Sequence, residues 1–486
     1  MRRPGFWALA AASLLLGGAL QVRAEPMELQ PCRLRGVEHE ALCAKLHRAL
    51  DPQQPQGTQI ELHFAVLPAL ARRKQPDPVF FIAGGPGQSA IALAGPVARM
   101  LGRLAQRRDI VLVDQRGTGR SAALECEPAG VQQPWFEAAD TAAQLQRARS
   151  CLSRLQALPQ GDLRQYTTGI AMADLDAVRQ ALGAERINLV AASYGTRAAL
   201  EYARQYPQRV RRMVLDGVVP PDMMLPQAAA IDAQAAFDAL LADCAADSAC
   251  RARHPRLQDS WTALQAALPL RLSLEHPHTG RSEQGLLTQD MLLAMVRAAL
   301  YAPISSSALP AAIDAAALGR FAPLLGLASV LSAGSGPAAV AQGMHFSVLC
   351  SEDVAPGADA PAAGFGRAAA QLYREVCSFW PRGMPPQGFR QMPPAPAPTL
   401  LLSGGLDPAT PPRHGERVAR ALGAQARHEV VPHAGHGVLA LPCMRDVAWR
   451  FIDAADAAQA LRVDAGCARE MPRPPVFVPP GAGAAP

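Results

Sequence analysis

Residues 187–196 read Ile187, Asn188, Leu189, Val190, Ala191, Ala192, Ser193, Tyr194, Gly195 and Thr196. This apolar run ends in small residues and passes without a spacer into a helical pattern, and no other feature constrains the fold more. A short apolar strand with little alternation fits a position buried on both faces of a largely parallel sheet. A helix that starts immediately after it must turn back sharply, and the turn falls on Ser193. Such an elbow holds the serine in strained backbone and accepts only small neighbours. Ala191 stands where the usual G-x-S-x-G pattern has its first glycine, a difference of one methyl group.

Other segments repeat the theme. Ile60–Val66, Val79–Ala83, Ile110–Asp114 and Met213–Asp216 read as strands, with helical stretches at Ala171–Leu182 and Thr196–Tyr206. Strand and helix alternate, which predicts an α/β fold. A second strand block begins at Pro398–Ser403 and continues at His428–Pro432. Between the blocks, Ala-, Leu- and Asp-rich sequence predicts a helical insertion. The expected division is a signal peptide over 1–24, a first core part over 25–217 and a helical cap over 218–395. A second core part follows over 396–472, then a Pro-, Gly- and Ala-rich tail over 473–486. Residues Met392–Pro398 are the return linker.

An acid and a histidine follow Ser193 in the second block. Asp407 lies just past the strand that ends in Ser403-Gly404-Gly405, where open α/β sheets place ligands. His436 lies beyond the last strand with Gly435 and Gly437 on either side. A serine hydroxyl needs a base to take its proton, and the base needs an acid to fix its tautomer. Ser193, His436 and Asp407 can fill those roles. His433 is the rival base, and His428 is close in sequence; the glycine flanks favour His436. A two-histidine metal site is the other alternative, but it lacks helical H-E-x-x-H spacing and an obvious third ligand.

Acyl transfer also needs hydrogen-bond donors aimed at the developing oxyanion. The turn Ala83-Gly84-Gly85-Pro86-Gly87-Gln88-Ser89 offers the amide of Gly85, and the residue after the nucleophile offers that of Tyr194. A phosphate cradle fails, because no Lys-Ser or Lys-Thr follows the glycines and Gly117-Thr118-Gly119 lacks a third glycine at fingerprint spacing.

Arg2 and Arg3, the apolar run Phe6–Leu20 and Val22-Arg23-Ala24 compose a secretory signal with cleavage after Ala24. Cleavage takes three arginines and no acids from a formal charge of +6, and no nucleic-acid partner is indicated. No later run reaches the roughly 18 apolar residues of a membrane span, so no anchor is expected after cleavage. The ten cysteines fall along the chain as local couples, and sequential pairing is the simplest scheme for an exported protein. With no C-x-x-C pair, zinc is not expected.

Gly84-Gly85-Pro86-Gly87-Gln88-Ser89, Asp114-Gln115-Arg116-Gly117-Thr118-Gly119-Arg120-Ser121 and Ala192-Ser193-Tyr194-Gly195-Thr196 together resemble the prolyl aminopeptidase and tripeptidyl aminopeptidase family of α/β-hydrolases. The C-terminal segment around Cys443 and Cys467 is similar to that of exported tripeptidyl aminopeptidases. The resemblance implies the α/β-hydrolase fold, with a mostly parallel central sheet and a helical cap inserted before the last two strands. It implies hydrolysis of peptide substrates near a free N-terminus, without metal or other cofactor. Cap carboxylates bind the substrate amine in the prolyl relatives, and the matching residues here are Glu352 and Asp353. Ala83 stands where many prolyl relatives have His. An esterase or other acyl hydrolase is the competing enzyme reading, since the same triad attacks esters. A binding protein without catalysis is the reading outside enzymes. The sequence leaves the oligomeric state, the preferred residue and the length of peptide released open.

Overall fold

The computed structural model describes residues 27–126, 134–138, 140–276, 279–332, 339–355, 364–392, 397–475 and 477. The expected signal peptide lies outside them, as do residues 393–396 of the return linker and most of the tail.

Among the described residues the main sheet uses nine of eleven strands. They are β1 (Gln30–Cys32), β2 (Ala41–Ala49), β3 (Gln59–Leu67), β4 (Val79–Ile82), β5 (Ile110–Val113), β6 (Ile187–Ala192), β7 (Val210–Asp216), β10 (Thr399–Gly404) and β11 (Ala426–Val431). The remaining two, β8 (Leu270–Glu275) and β9 (Ser282–Leu287), pair as a separate antiparallel hairpin. The order in the main sheet is β1-β2-β3-β5-β4-β6-β7-β10-β11. From β5 to β11 every pairing is parallel, while β3 runs antiparallel to both β2 and β5. Ala192 aligns with Asp216, and Asp216 with Leu402, so β6, β7 and β10 end at one edge of the sheet. That edge carries the candidate site.

The apolar strands predicted from sequence are buried on both faces. Phe80 and Ile82 of β4 join one core with Leu189, Met213 and Leu215, whereas Val79 and Phe81 join the other with Val190, Val214 and Leu402. This alternation is the period-2 geometry of a strand. Each fully buried side chain of this size contributes about 1.5–3 kcal/mol relative to exposure.

Between β7 and β10 the chain forms two packing groups. Helices Leu225–Ala246, Leu257–Ala266, Gln289–Leu300, Leu309–Ala317 and Ala322–Ser332 surround a core of their own that includes Phe237, Trp261, Val296 and Ile313. The β8–β9 hairpin packs against it through Leu270, Leu272 and Leu274, so the segment expected to be helical also contains strands. Helices Gln342–Glu352 and Arg367–Cys377 instead place Met344, Phe346, Val348 and Val376 in the main core.

The disulfides are Cys32–Cys43, Cys126–Cys151, Cys244–Cys250, Cys350–Cys377 and Cys443–Cys467, the sequential scheme. No helix of the described residues is long and apolar enough to cross a membrane.

Candidate active site

Ser193 sits between the end of β6 and helix Tyr194–Gln205 with φ 54° and ψ −127°. A non-glycine residue there stores about 1–3 kcal/mol of backbone strain. Neighbouring contacts hold it: the Ser193 amide donates to the Asp216 carbonyl at 2.8 Å, and its carbonyl accepts from the Thr196 amide and hydroxyl at 2.8 and 2.7 Å. Gly195 has no alternative, because a Cβ there would strike the Ile82 and Ala83 carbonyl oxygens. Ala191 is fully buried without such a conflict, which explains why alanine is accepted where the usual pattern has glycine.

Asp407 and His436 meet across two crossing loops. Gly404 and Gly405 let the loops approach, since a Cβ on either would collide with backbone oxygens of Gly435 and Ala434 or of Pro432. Asp407 Oδ1 accepts from the amides of Ala409 (2.8 Å) and Thr410 (2.9 Å). Oδ2 accepts from the Thr410 hydroxyl and from His436 Nδ1, both at 2.8 Å. The His436 amide donates to the Tyr301 carbonyl at 2.8 Å, and Tyr301 packs edge-on against the imidazole at 5.3 Å. Gly435 is required there because a Cβ would hit the same carbonyl.

Burial works against charge on both members of this pair, but their mutual attraction and hydrogen bond outweigh it. Asp407 is held below the ordinary carboxylate range, helped by its two amide donors, and His436 is raised above its ordinary value. Among the described residues His433 makes no bond to Asp407, and His428 is engaged with Ser403 Oγ at 2.9 Å. Asp407 therefore orients His436 alone. Among the described residues the Ser193 hydroxyl makes no hydrogen bond to the imidazole, whose Nδ1 side faces Asp407 and Thr410. Gly217, next to Asp216, lies against the ring: a Cβ there would be 3.2 Å from His436 Cε1. The end of β7 thus contacts both serine and histidine.

Sequence reasoning missed Asp216 and Thr410. Asp216 is buried, which raises its pKa, and accepts from the amides of Val438 (2.9 Å) and Leu439 (2.8 Å), fixing the loop beyond His436. The sequence signal for Thr410 was its place three residues after an acidic loop residue.

Gly85 has φ 109° and precedes Pro86 in the turn after β4, and a Cβ on Gly84 would lie 3.2 Å from Ser193 Cβ. No hydrogen bond from the Gly85 or Tyr194 amide appears among the described residues. Asp114 anchors the far end of this loop by accepting from Ser89 Oγ at 2.6 Å and the Ile91 amide at 3.1 Å. Arg116 in the same motif is buried and saturated by Asp174, the Leu50 carbonyl and the Gln165 carbonyl. It is a structural tie and not an anion site.

Glu352 and Asp353 end helix Gln342–Glu352 and are both buried. Glu352 accepts from the Thr168 amide (2.6 Å) and hydroxyl (2.7 Å), and that hydroxyl is 2.6 Å from the Tyr194 hydroxyl. Burial pushes the Glu352 carboxyl up to about 7. Asp353 Oδ1 is paired with Arg197 at 2.6 Å, while Oδ2 is buried with no partner among the described residues. The pair is thus joined to the residue after Ser193 rather than lying in a solvated loop. No cluster of potential metal ligands occurs among the described residues.

A carboxylate-oriented imidazole and a serine on a strand-to-helix elbow, linked through Asp216 and Gly217 at the end of β7, are the features of a serine hydrolase. The chain belongs to the alpha/beta hydrolase fold family, whose sequence model matches residues 77–441. It is 28% identical over 466 residues to the serine protease Hip1 of Mycobacterium tuberculosis, covering 85% of this chain and 88% of that one. The tripeptidyl aminopeptidase of Streptomyces lividans is 31% identical over 250 residues, 46% of this chain and 45% of the relative. Carboxylesterase B of M. tuberculosis is 29% identical over 426 residues, 79% and 78% of the two chains. The structure of proline iminopeptidase from Mycobacterium smegmatis covers 87% of this chain and 100% of its own, with 16% identity and a TM-score of 0.41.

Proposed function

We propose that this serine hydrolase is an exported peptidase that cleaves near a free N-terminus. Ser193 Oγ attacks the scissile carbonyl while His436 Nε2 takes its proton, and Asp407 stabilises the imidazolium. The amides of Gly85 and Tyr194 receive the oxyanion. Collapse of the tetrahedral intermediate passes the proton from His436 to the leaving amine. Water, activated by the same imidazole, then hydrolyses the acyl-enzyme and frees Ser193.

One observation carries the N-terminal preference: a buried carboxylate oxygen, Asp353 Oδ2, has no partner among the described residues and belongs to a cluster joined to Tyr194. Two carboxylates face the guanidiniums of Arg197 and Arg390, so ionisation of Glu352 leaves the cluster balanced and not positive. An arriving ammonium favours that ionised form, as its lost hydration must be offset by a carboxylate. The protease and aminopeptidase relatives support the same direction. Export is supported by the leader pattern and by five disulfides, which persist in oxidising compartments.

The second reading is an acyl-ester hydrolase. It is favoured by the saturation of both Glu352 oxygens by Thr168 and by the carboxylesterase relative. The deciding experiment is kcat/KM for one peptide amide with its amine free and acetylated, on wild type, Glu352→Gln and Asp353→Asn. The peptidase reading expects a strong free-amine preference in wild type that falls by about 2–3 kcal/mol in a variant, the scale of a charge-assisted hydrogen bond. Equal cleavage of the blocked peptide by wild type rejects it in favour of the ester reading.

A further inference from the structure

The loop that bears the Gly85 amide has a weak point at Pro86, which has no N–H, so its carbonyl is the only backbone group by which that residue can be held. His345 holds it. The imidazole, one turn into helix Gln342–Glu352, places Nδ1 3.1 Å from the Pro86 oxygen and Nε2 3.0 Å from the Tyr373 hydroxyl. A carbonyl oxygen only accepts, so Nδ1 carries the hydrogen, and Nε2 accepts from the Tyr373 O–H. The next carbonyl, that of Gly87, accepts from the Ala341 amide at 2.9 Å. Two carbonyls of the loop, those of Pro86 and Gly87, are therefore fixed by residues 341–345. The contact is close: a Cβ on Gly87 would lie 2.9 Å from the Ala341 oxygen and from Val340 Cγ1.

We propose that His345, oriented by Tyr373, is a positioning residue that sets the Gly85 amide at the oxyanion through its hydrogen bond to the Pro86 carbonyl. The inference rests on the acyl-transfer reading above, in which Gly85 and Tyr194 receive the oxyanion. It assigns work to a histidine that the proton-transfer mechanism does not use. Burial keeps its ring neutral, with a pKa lowered to about 4, so the donor and acceptor pattern persists across the range in which His436 acts as a base. Its anchorage is firm, because the helix that carries it is also tied to the body away from the Pro86 loop. The ties include Gly343 N to Leu124 O at 2.8 Å and Glu352 to Thr168. The Cys350–Cys377 disulfide links this helix to the one that carries Tyr373.

A donor that points slightly away from the oxyanion affects the transition state more than ground-state binding. Deleting an oxyanion donor outright lowers kcat by about 10²–10³, so a misaligned one should cost less. The test is kcat and KM for a peptide amide and an activated ester on His345→Phe, which keeps a ring without the donor, and on His345→Asn, whose carboxamide nitrogen can replace Nδ1. Expected for His345→Phe is a kcat about 10- to 100-fold lower with KM within about 3-fold, and for His345→Asn a kcat within about 3-fold of wild type. A normal kcat in His345→Phe, or an equal loss in His345→Asn, overturns the inference. Should His345→Phe not fold, Tyr373→Phe decides: a kcat lower by about 3-fold or more at unchanged KM supports the relay, and an unchanged kcat rejects it. Ser193→Ala is assayed alongside. Activity retained there means that the acyl-transfer reading itself has failed, whereas loss there with normal His345 variants means that only this inference has.

Discussion

Asp407 and His436 show how a single ion pair divides stability from activity. His436, raised above its ordinary value of 6.5, contributes stability fully present below that value and lost as pH rises through the folded one. Asp407, lowered below 3.8, contributes stability present above that value and lost as pH falls through the folded one. Their shared interaction is thus complete between 3.8 and 6.5, where a protonated His436 could not serve as the proposed base. The acid limb of kcat/KM should accordingly inflect above pH 6.5 in wild type. In Asp407→Asn that inflection should move down, and kcat should fall by about 10⁴ through the wrong tautomer. A pH profile of both proteins checks this; an unmoved limb would place the controlling group elsewhere. At this scale the sequence nominated Ser193, Asp407 and His436, because each lies among glycines or small residues at a strand end. Asp216 and His345 were hidden, since each acts through a contact distant in sequence that only the folded loops create, whereas Thr410 binds Asp407 three residues away and was locally legible.

Elements differ in how openly their sequence announces them. β4, β5, β6 and β10 are short apolar runs, and burial on both faces leaves no other role for them. β2 was missed because Lys45, His47 and Arg48 interrupt its apolar residues on a half-exposed strand. β8 does alternate, with Leu270, Leu272 and Leu274 inward, but it is short and set in helix-rich sequence. The glycines between elements carry a sharper message. Gly405→Ala should lower stability by about 1–3 kcal/mol, the range for overpacking, because the Pro432 backbone obstructs the added methyl. The opposite sign is expected for Gly326→Ala in the exposed face of helix Ala322–Ser332, where nothing lies within 4 Å of the new Cβ and helix propensity gains about 0.5–1 kcal/mol. Thermal unfolding of the two variants measures both. A neutral Gly405→Ala would mean that the crossing of the Asp407 and His436 loops is looser than described.

On the scale of the whole molecule, the sheet gathers the ends of β6, β7 and β10 at one edge, and the elbow that carries Ser193 and the loops that carry the Asp407–His436 pair follow those strand ends from separate parts of the chain. Sequence order alone indicated that shared edge, because strands that alternate with helices in a parallel sheet must end on the same side. It could not show that the segment between β7 and β10 divides into one group with its own core and another embedded in the main core, since both groups are helices of similar composition. The account stands or falls on Ser193 as the nucleophile activated by His436. Peptide mass mapping after exposure to a fluorophosphonate tests this most directly. One adduct on Ser193 in wild type, absent from His436→Ala over the same time, is the predicted result; a protein that hydrolyses its substrates but is labelled at another residue, or not at all, contradicts it.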